Sequence, residues 1–550
     1  MTGIKRYLTI SYLLLIETLI LIPQSRYDPD LHHDGVMFTA AVAIKNGLVP
    51  NKDVFAQYGP GAPLFHGYWL KFTGTQLVSL RLITAILLIL TGLLLFLVLE
   101  KNLNRKLAFL ICVVWCVTYP NYILPPNLPW PSVITTFLLM VVVWSLTFQY
   151  SKKNSSITHL CLTGVISFIL FAAIFVRVHI AVTFFLLTIV LIIRSKNTLH
   201  SKQEFRAWTA GFMLSFLVVF LFFLQTKSWP DYFQQAVLWA SDFYGTPKNL
   251  NDINTIVDLI LLLLFPGFFA ILWLLIKFLN VDKNSIKTFL LIIASSVIVA
   301  LVSLYKMDAQ DKSFLNPKYI VLVLSQNFFA IFGYSSAVFT IFIVFKFVYR
   351  RNLTNNSFLI PVLAFSSLSQ LYPAHDPLHL WWITPLLLSG AAPFVNDGFT
   401  KIRDVQKKLF VISFGICVAS FLLLFNYFNI ERISSNSAYL KHMIGVESVI
   451  IPTDKFISEI EKIPLNSRVR SKCMDALFSI SKETYLYSDL NYYEAPFSNI
   501  TSLQDGDYII YCKQKPQDLT EILNNNNIEV KHVTVFSNDH INLIAKFHSN

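Results

Sequence analysis

Long apolar runs separated by short polar links dominate the chain. Stretches such as 82–99 and 410–424 carry no charged residue, and 256–275 carries only Asp258. Runs of about 20 apolar residues, coiled as helices, match a hydrocarbon core about 30 Å thick. They do not alternate apolar and polar residues as barrel strands do, so helices are the spanning structure. The pattern predicts about thirteen spans. They lie near 7–23, 77–99, 107–124, 131–149, 157–176, 178–194, 207–226, 256–279, 287–304, 328–349, 357–372, 379–395 and 409–427. The first run follows Lys5 and Arg6; it lacks a small-residue cleavage site and reads as an uncleaved span rather than a signal peptide.

Basic residues set the expected orientation. They gather in alternate links: Lys101, Arg105 and Lys106; Lys152 and Lys153; Arg194, Lys196, Lys202 and Arg206; Lys283 and Lys287; Arg350 and Arg351; Lys401, Arg403, Lys407 and Lys408. With these inside, the amino terminus is inside too. The segments 24–76, 227–255, 305–327 and a tail from about 428 then lie outside. The tail mixes β-like runs at 508–511, 530–535 and 541–545 with polar helical stretches and an Asn run at 524–527, which predicts a small α/β extracytoplasmic domain. The expected fold class is an all-α polytopic membrane protein, residues 1–427, followed by that C-terminal domain, residues 428–550.

Composition agrees. Hydrophobic residues make up 55% and charged residues 14%, with mean hydropathy +0.56, where soluble domains carry about 25% charge. The net charge of +12 would suit nucleic acid, but its placement in short links is that of topology determinants, so no nucleic acid partner is expected. Cys112, Cys116, Cys161 and Cys417 fall in apolar runs and read as small buried hydrophobes. Cys473 and Cys512 fall in the polar tail, where an oxidising compartment would let them pair. No internal repeat, Gly-rich phosphate loop or metal-type Cys/His spacing is present.

The chemistry-bearing stretch is the first outer loop, Tyr27-Asp-Pro-Asp-Leu-His-His-Asp34-Gly, followed by an amphipathic segment 36–46 and then Asp53-Val-Phe-Ala-Gln-Tyr58-Gly-Pro-Gly61. Carboxylates and histidines directly after a span are candidates for function. Asp34 also precedes an Ala-rich helical run, where an Asp caps a helix; both readings stand. Arg177-Val-His179 interrupts an apolar stretch at an outer turn. Arg177 either snorkels to the interface or binds an anion through its bidentate fork. Tyr372-Pro-Ala-His375-Asp376-Pro-Leu-His379-Leu-Trp381-Trp382 forms another polar cluster at the outer end of a late span, and its tryptophans also suit an interfacial belt. Lys306, Lys312 and Lys318 lie in a further outer loop.

The order Asp34-Gly, Ala-rich helix, Asn46-Gly47-Leu, Tyr58-Gly-Pro-Gly, amphipathic helix, Phe72-Thr-Gly74 and Leu80-Arg81-Leu82 resembles the opening loop of the C-superfamily (GT-C) glycosyltransferases. That group includes the protein O-mannosyltransferases and the aminoarabinose transferase of lipid A. The resemblance implies transfer of a sugar from a polyprenyl-phosphate donor to an outer-face glycan, lipid or protein acceptor. Asp34 matches the family's acceptor-binding carboxylate and base, with Asp30, His33 and Tyr58 on the acceptor side. Arg177, His179, His375 and His379 fall to the donor phosphate. Here Asp-Gly replaces the family's frequent Asp-Glu, and His375 stands where an Arg is common. The segment Pro125-Pro-Asn127-Leu-Pro-Trp-Pro131 lacks the carboxylate that many relatives carry there, which favours metal-independent transfer over a divalent metal bridged by two acidic loops; the expected reaction is inverting, with no cofactor. The expected location is the plasma (inner) membrane, with the site and tail facing outside. A flippase of lipid-linked saccharides, which predicts interrupted helices and paired repeats, and a polysaccharide polymerase are the alternatives.

Overall fold

The computed structural model describes residues 2–26, 33–117, 127–151, 156–196, 198–238, 340, 344, 358–371 and 377–401 of the 550-residue chain, and strands at 469–471, 508–512, 536–537 and 542–546. The predicted spans 256–279, 287–304 and 409–427, and all but two positions of 328–349, lie outside the described residues. So do Asp30, His375, Cys417, Cys473 and the expected strand 530–535.

The first helix, α1 (Thr2–Leu21), ends in a 3-10 turn at Pro23–Arg26. Two short helices follow, α2 (His33–Lys45) and α3 (Gly61–Thr73). Then come α4 (Leu77–Asn102), α5 (Arg105–Val117), α6 (Pro131–Ser151), α7 (Ser156–Ile174), α8 (Ile180–Ser195) and α9 (Leu199–Thr226). The short α10 (Trp229–Tyr232) runs into a π-turn at Phe233–Leu238. Later in the chain lie α11 (Leu359–Ser366), continued as a 3-10 turn at Ser367–Leu371, and α12 (Pro377–Lys401). Among the described residues, α1, α4, α6, α7 and α9 are long and apolar enough to cross a bilayer, while α8, α11 and α12 hold shorter apolar stretches.

Two boundaries differ from the hydropathy pattern, each for a local reason. The α9 helix starts at Leu199 rather than near 207, because the Thr198 side chain caps it by accepting the Ser201 N–H at 3.1 Å. Lys202 and Arg206 therefore belong to the helix and not to a link. In place of a span over 357–372, only eight residues form α-helix before the 3-10 turn, whose backbone helps build the site below.

The α4 helix packs against α1, α5, α6 and α12, and α7 packs chiefly against α9. Small residues allow both close approaches, as in membrane bundles generally. A Cβ on Gly211 of α9 would lie 2.0 Å from the Gly164 carbonyl of α7, and a Cβ on Gly92 of α4 would lie 1.9 Å from a carboxylate oxygen of Glu17 on α1. Trp381 and Trp382 are buried rather than interfacial. Trp381 stacks on Trp115 with ring centroids 4.9 Å apart, and each indole N–H donates to the other's backbone carbonyl, at 2.7 and 3.1 Å. Those bonds satisfy two polar groups in an otherwise apolar core. Cys112 and Cys116 are buried as expected, but Cys161 is exposed on α7. The α9 side chains Met213, Leu217 and Leu221 are also exposed, as suits a lipid-facing surface.

In the tail, strands β1 (Val469–Ser471), β2 (Tyr508–Cys512), β3 (Phe536–Ser537) and β4 (Asn542–Lys546) form one sheet in the order β1-β2-β4-β3. β1 runs parallel to β2, and the other pairings are antiparallel.

Candidate functional site

The Tyr58-Gly-Pro-Gly turn is fixed by a close backbone approach. Gly59 holds φ +117, a region that only glycine adopts at little cost. The Gly61 N–H donates to the Phe175 carbonyl at 2.8 Å. A Cβ on Gly59 would sit 2.5 Å from that carbonyl oxygen, and one on Gly61 would sit 2.6 Å from a methyl of Val176. The turn is thereby seated on the link between α7 and α8. Upstream, the Gln235 amide braces the same loop. Its Nε2 donates to the Asn51 carbonyl at 2.7 Å, and its Oε1 accepts from the Asn51 side chain and the Ala56 N–H, each at 3.0 Å.

This seating puts Tyr58 over Arg177. The guanidinium carbon lies 5.8 Å from the Tyr58 ring centroid, and the ring meets Trp130 edge-on at 5.4 Å. Arg177 is 1% exposed, so it does not snorkel. Its Nη1 donates to the Ser132 hydroxyl on α6, and its Nη2 donates to the Gln370 carbonyl at 2.9 Å. Thr135 holds the Gln370 side chain at 3.1 Å, and the Ser369 hydroxyl donates to the His179 carbonyl at 3.2 Å. His179 is within electrostatic range of both Arg177 and His379. His379, at the start of α12, meets Trp382 edge-on with centroids 5.2 Å apart. The predicted residues Tyr58, Arg177, His179 and His379 thus come together from three separate stretches of chain.

Asp34 belongs to a second constellation. It lies in the first turn of α2, one residue inside the helix rather than ahead of it, and is fully buried. Its carboxylate faces Arg81 of α4. The guanidinium Nε reaches Oδ1 at 3.2 Å while Nη2 contacts Oδ2, a two-pronged ion pair with both side chains sealed from solvent. His33 opens α2, but its side chain is outside the described residues.

Sequence reasoning missed Arg81, Trp130, Ser132 and Gln370 as parts of these constellations. A signal existed for Arg81, because a lone guanidinium within an apolar run needs a partner. Ser132 and Gln370 are neutral polar residues in apolar segments, and only the fold shows that Arg177 uses them.

Chemically, a buried guanidinium beside two imidazoles and under an aromatic ring suits an anion such as a phosphate. The Asp34 carboxyl held by Arg81 offers acceptor oxygens for a hydroxyl group.

No family model matches the chain, and no curated protein matches its sequence. Solved structures match its shape. ArnT from Cupriavidus metallidurans bound to undecaprenyl phosphate aligns with a TM-score of 0.50 at 10% sequence identity, covering 98% of this chain and 97% of that one. The oligosaccharyltransferase AglB from Archaeoglobus fulgidus, in complex with an inhibitory peptide and a dolichol-phosphate, aligns at 0.45 and 10%, covering 88% of this chain and 64% of that one. The second likeness is too weak to add to the first. The chain shares the overall fold of that ArnT structure.

Proposed function

We propose that this chain is a glycosyltransferase that moves a sugar from a polyprenyl-phosphate donor to an acceptor at the outer face of the plasma (inner) membrane. The observation that carries the reading is Arg177, buried yet placed between Tyr58, His179 and His379, within a fold shared with a protein captured with undecaprenyl phosphate. Donor lipid enters from the bilayer between helices. Arg177 and His379 receive its phosphate, with His179 beside them, and stabilise the charge that develops as the sugar–phosphate bond breaks. Asp34, oriented by its two contacts with Arg81, takes the acceptor's proton as the acceptor oxygen or nitrogen attacks the anomeric carbon from the opposite side. The bonding pair leaves with the phosphate, and the sugar's configuration inverts. The C-terminal domain contributes to acceptor choice.

Metal-independent transfer is part of the proposal. The segment 125–131 offers no carboxylate for a cation, and Asn127 within it donates its amide N–H to the Ser25 hydroxyl at 2.8 Å. The reading is tested in the native cells by inactivating the gene and analysing extracted lipids. A polyprenyl-phosphate sugar should accumulate, and the wild-type chain but not Arg177→Ala should clear it. If no lipid-linked sugar accumulates, or if Arg177→Ala clears it fully, the proposal fails.

A further inference from the structure

A second polar cluster sits at the opposite end of α7 from the Arg177 turn, separated from it by about 22 Å of helix. His159 of α7 is buried, Glu204 of α9 is buried, and the His200 side chain, also on α9, is 49% exposed. Both imidazole Nε2 atoms point at the same carboxylate oxygen. His159 contacts Oε1 of Glu204 directly, and His200 lies 3.6 Å from it. The two rings are 4.9 Å apart. The three donor atoms all lie within 4.8 Å of one another. The remaining oxygen, Oε2, is held by Arg194 of α8 at 3.4 Å.

We propose that His159, His200 and Glu204 form a structural zinc site that ties α7 to α9 at this end of the bundle. Two neutral imidazoles and one carboxylate are the donor set that Zn2+ selects, with bonds of about 2.0–2.2 Å. The helical spacing of His200 and Glu204 puts both on one face of α9, one turn apart, and His159 faces them across the tightly packed α7–α9 seam. Arg194 occupies one carboxylate oxygen and so turns the other toward the imidazoles, the orienting role of an outer partner. The half-exposed His200 gives the ion an entry path and leaves room for water as fourth ligand. Rotation of the half-exposed His200 side chain would bring its Nε2, now 3.6 Å from the Glu204 oxygen, into the donor set. Sequence spacing does not reveal the site, because its ligands come from two helices separated by a whole span.

The site lies away from the transfer residues, so its test does not depend on what the protein transfers. The full chain, purified with a tag free of histidine and held in lipid nanodiscs, is stripped with a chelator and titrated with Zn2+ alone, then with Co2+ as a spectroscopic substitute. The wild type should bind about one equivalent, show the visible absorption of a tetrahedral Co2+ centre, and gain thermal stability with added Zn2+. His200→Ala removes a ligand at a half-exposed position and should fold normally. It should bind at least about 100-fold more weakly, beyond the 10–100-fold loss usual for outer-shell partners, with no thermal gain. Absence of saturable binding in the wild type, or unchanged binding in His200→Ala, would overturn the site and leave a proton-bridged His–Glu network in its place.

Discussion

The carboxylate of Asp34 and the guanidinium of Arg81 are both fully buried, and this changes how a substitution there must be read. Removing one partner of a buried pair strands the other and typically costs about 3–5 kcal/mol, far more than the roughly 1 kcal/mol of a lost helix cap. Asp34→Asn alone would therefore slow transfer under either a structural or a catalytic role. The double variant Asp34→Asn/Arg81→Gln separates the two, since two neutral amides leave no orphaned charge. Its thermal stability should return toward wild type, while transfer stays at least about a hundredfold down, the usual share of a general base. Recovery of both would remove Asp34 as the base. Arg177 supports a parallel argument. Arg177→Ala should raise the donor KM and lower turnover, and Arg177→Lys should restore only part, because a point charge cannot donate to Ser132, to the Gln370 carbonyl and to a phosphate with one planar fork. Donor titrations in which Arg177→Ala matches wild type would reduce this residue to a brace between α6 and the turn at Ser367–Leu371.

At the scale of elements, the outer loop depends on how its turn is seated. Gly47 and Gly59 both hold positive φ, but a Cβ on Gly47 meets nothing within 4 Å, whereas one on Gly59 meets the Phe175 carbonyl at 2.5 Å. Gly47→Ala should cost only the conformational strain, about 1–2 kcal/mol, and leave transfer intact. Gly59→Ala should push the turn off the α7–α8 link, carry Tyr58 away from Arg177 and abolish most transfer. Equal activity in the two variants would mean that the seating is dispensable. The helix that follows adds a pH dependence. Burial pushes His66 of α3 down to about 3, below the ordinary value of about 6.5. The unfolded loop then binds the extra proton first, so stability is complete above about pH 6.5 and falls by about 1.4 kcal/mol per unit below it. Limited proteolysis of the outer loop should accelerate on acidification, and His66→Phe should abolish that acceleration; a wild-type loop equally resistant at pH 5 would contradict it. Much of this level was legible in the sequence. The amphipathic run and the Gly-Pro-Gly turn marked α2, the seat and the start of α3, because periodicity and glycine are local signals. The partner of Asp34 was not legible, nor were the bonds of Arg177, because each depends on which helices become neighbours. The extension of α9 was hidden by its polar first turns, where Thr198 caps Ser201 and Glu204 meets His159, Arg194 and His200.

At the scale of the molecule, two polar constellations lie at opposite ends of α7. One end carries Arg177, and the other carries His159 against Glu204 and the basic links; α7 as a whole, 19 residues and about 28 Å long, matches a hydrocarbon core. This arrangement makes orientation decisive. The transfer residues and the C-terminal sheet must share a face if the tail is to influence acceptor choice, and the basic ends of α7, α8 and α9 must face the other way if the distribution of Lys and Arg orients the chain. Single cysteines introduced into a cysteine-free chain test this in intact cells with a membrane-impermeant maleimide. Positions in 28–60 and 440–550 should react from outside, and positions in 152–156 and 401–408 only after the membrane is opened. Because the links at 152–156 and the turn at 175–179 bound the same helix, labelling of both from one side would contradict α7 as a span. A carboxyl tail reachable only from inside would leave the Arg177 constellation without the neighbouring domain and remove the tail from acceptor selection. Tail labelling from outside, with 152–156 protected, would leave both in place.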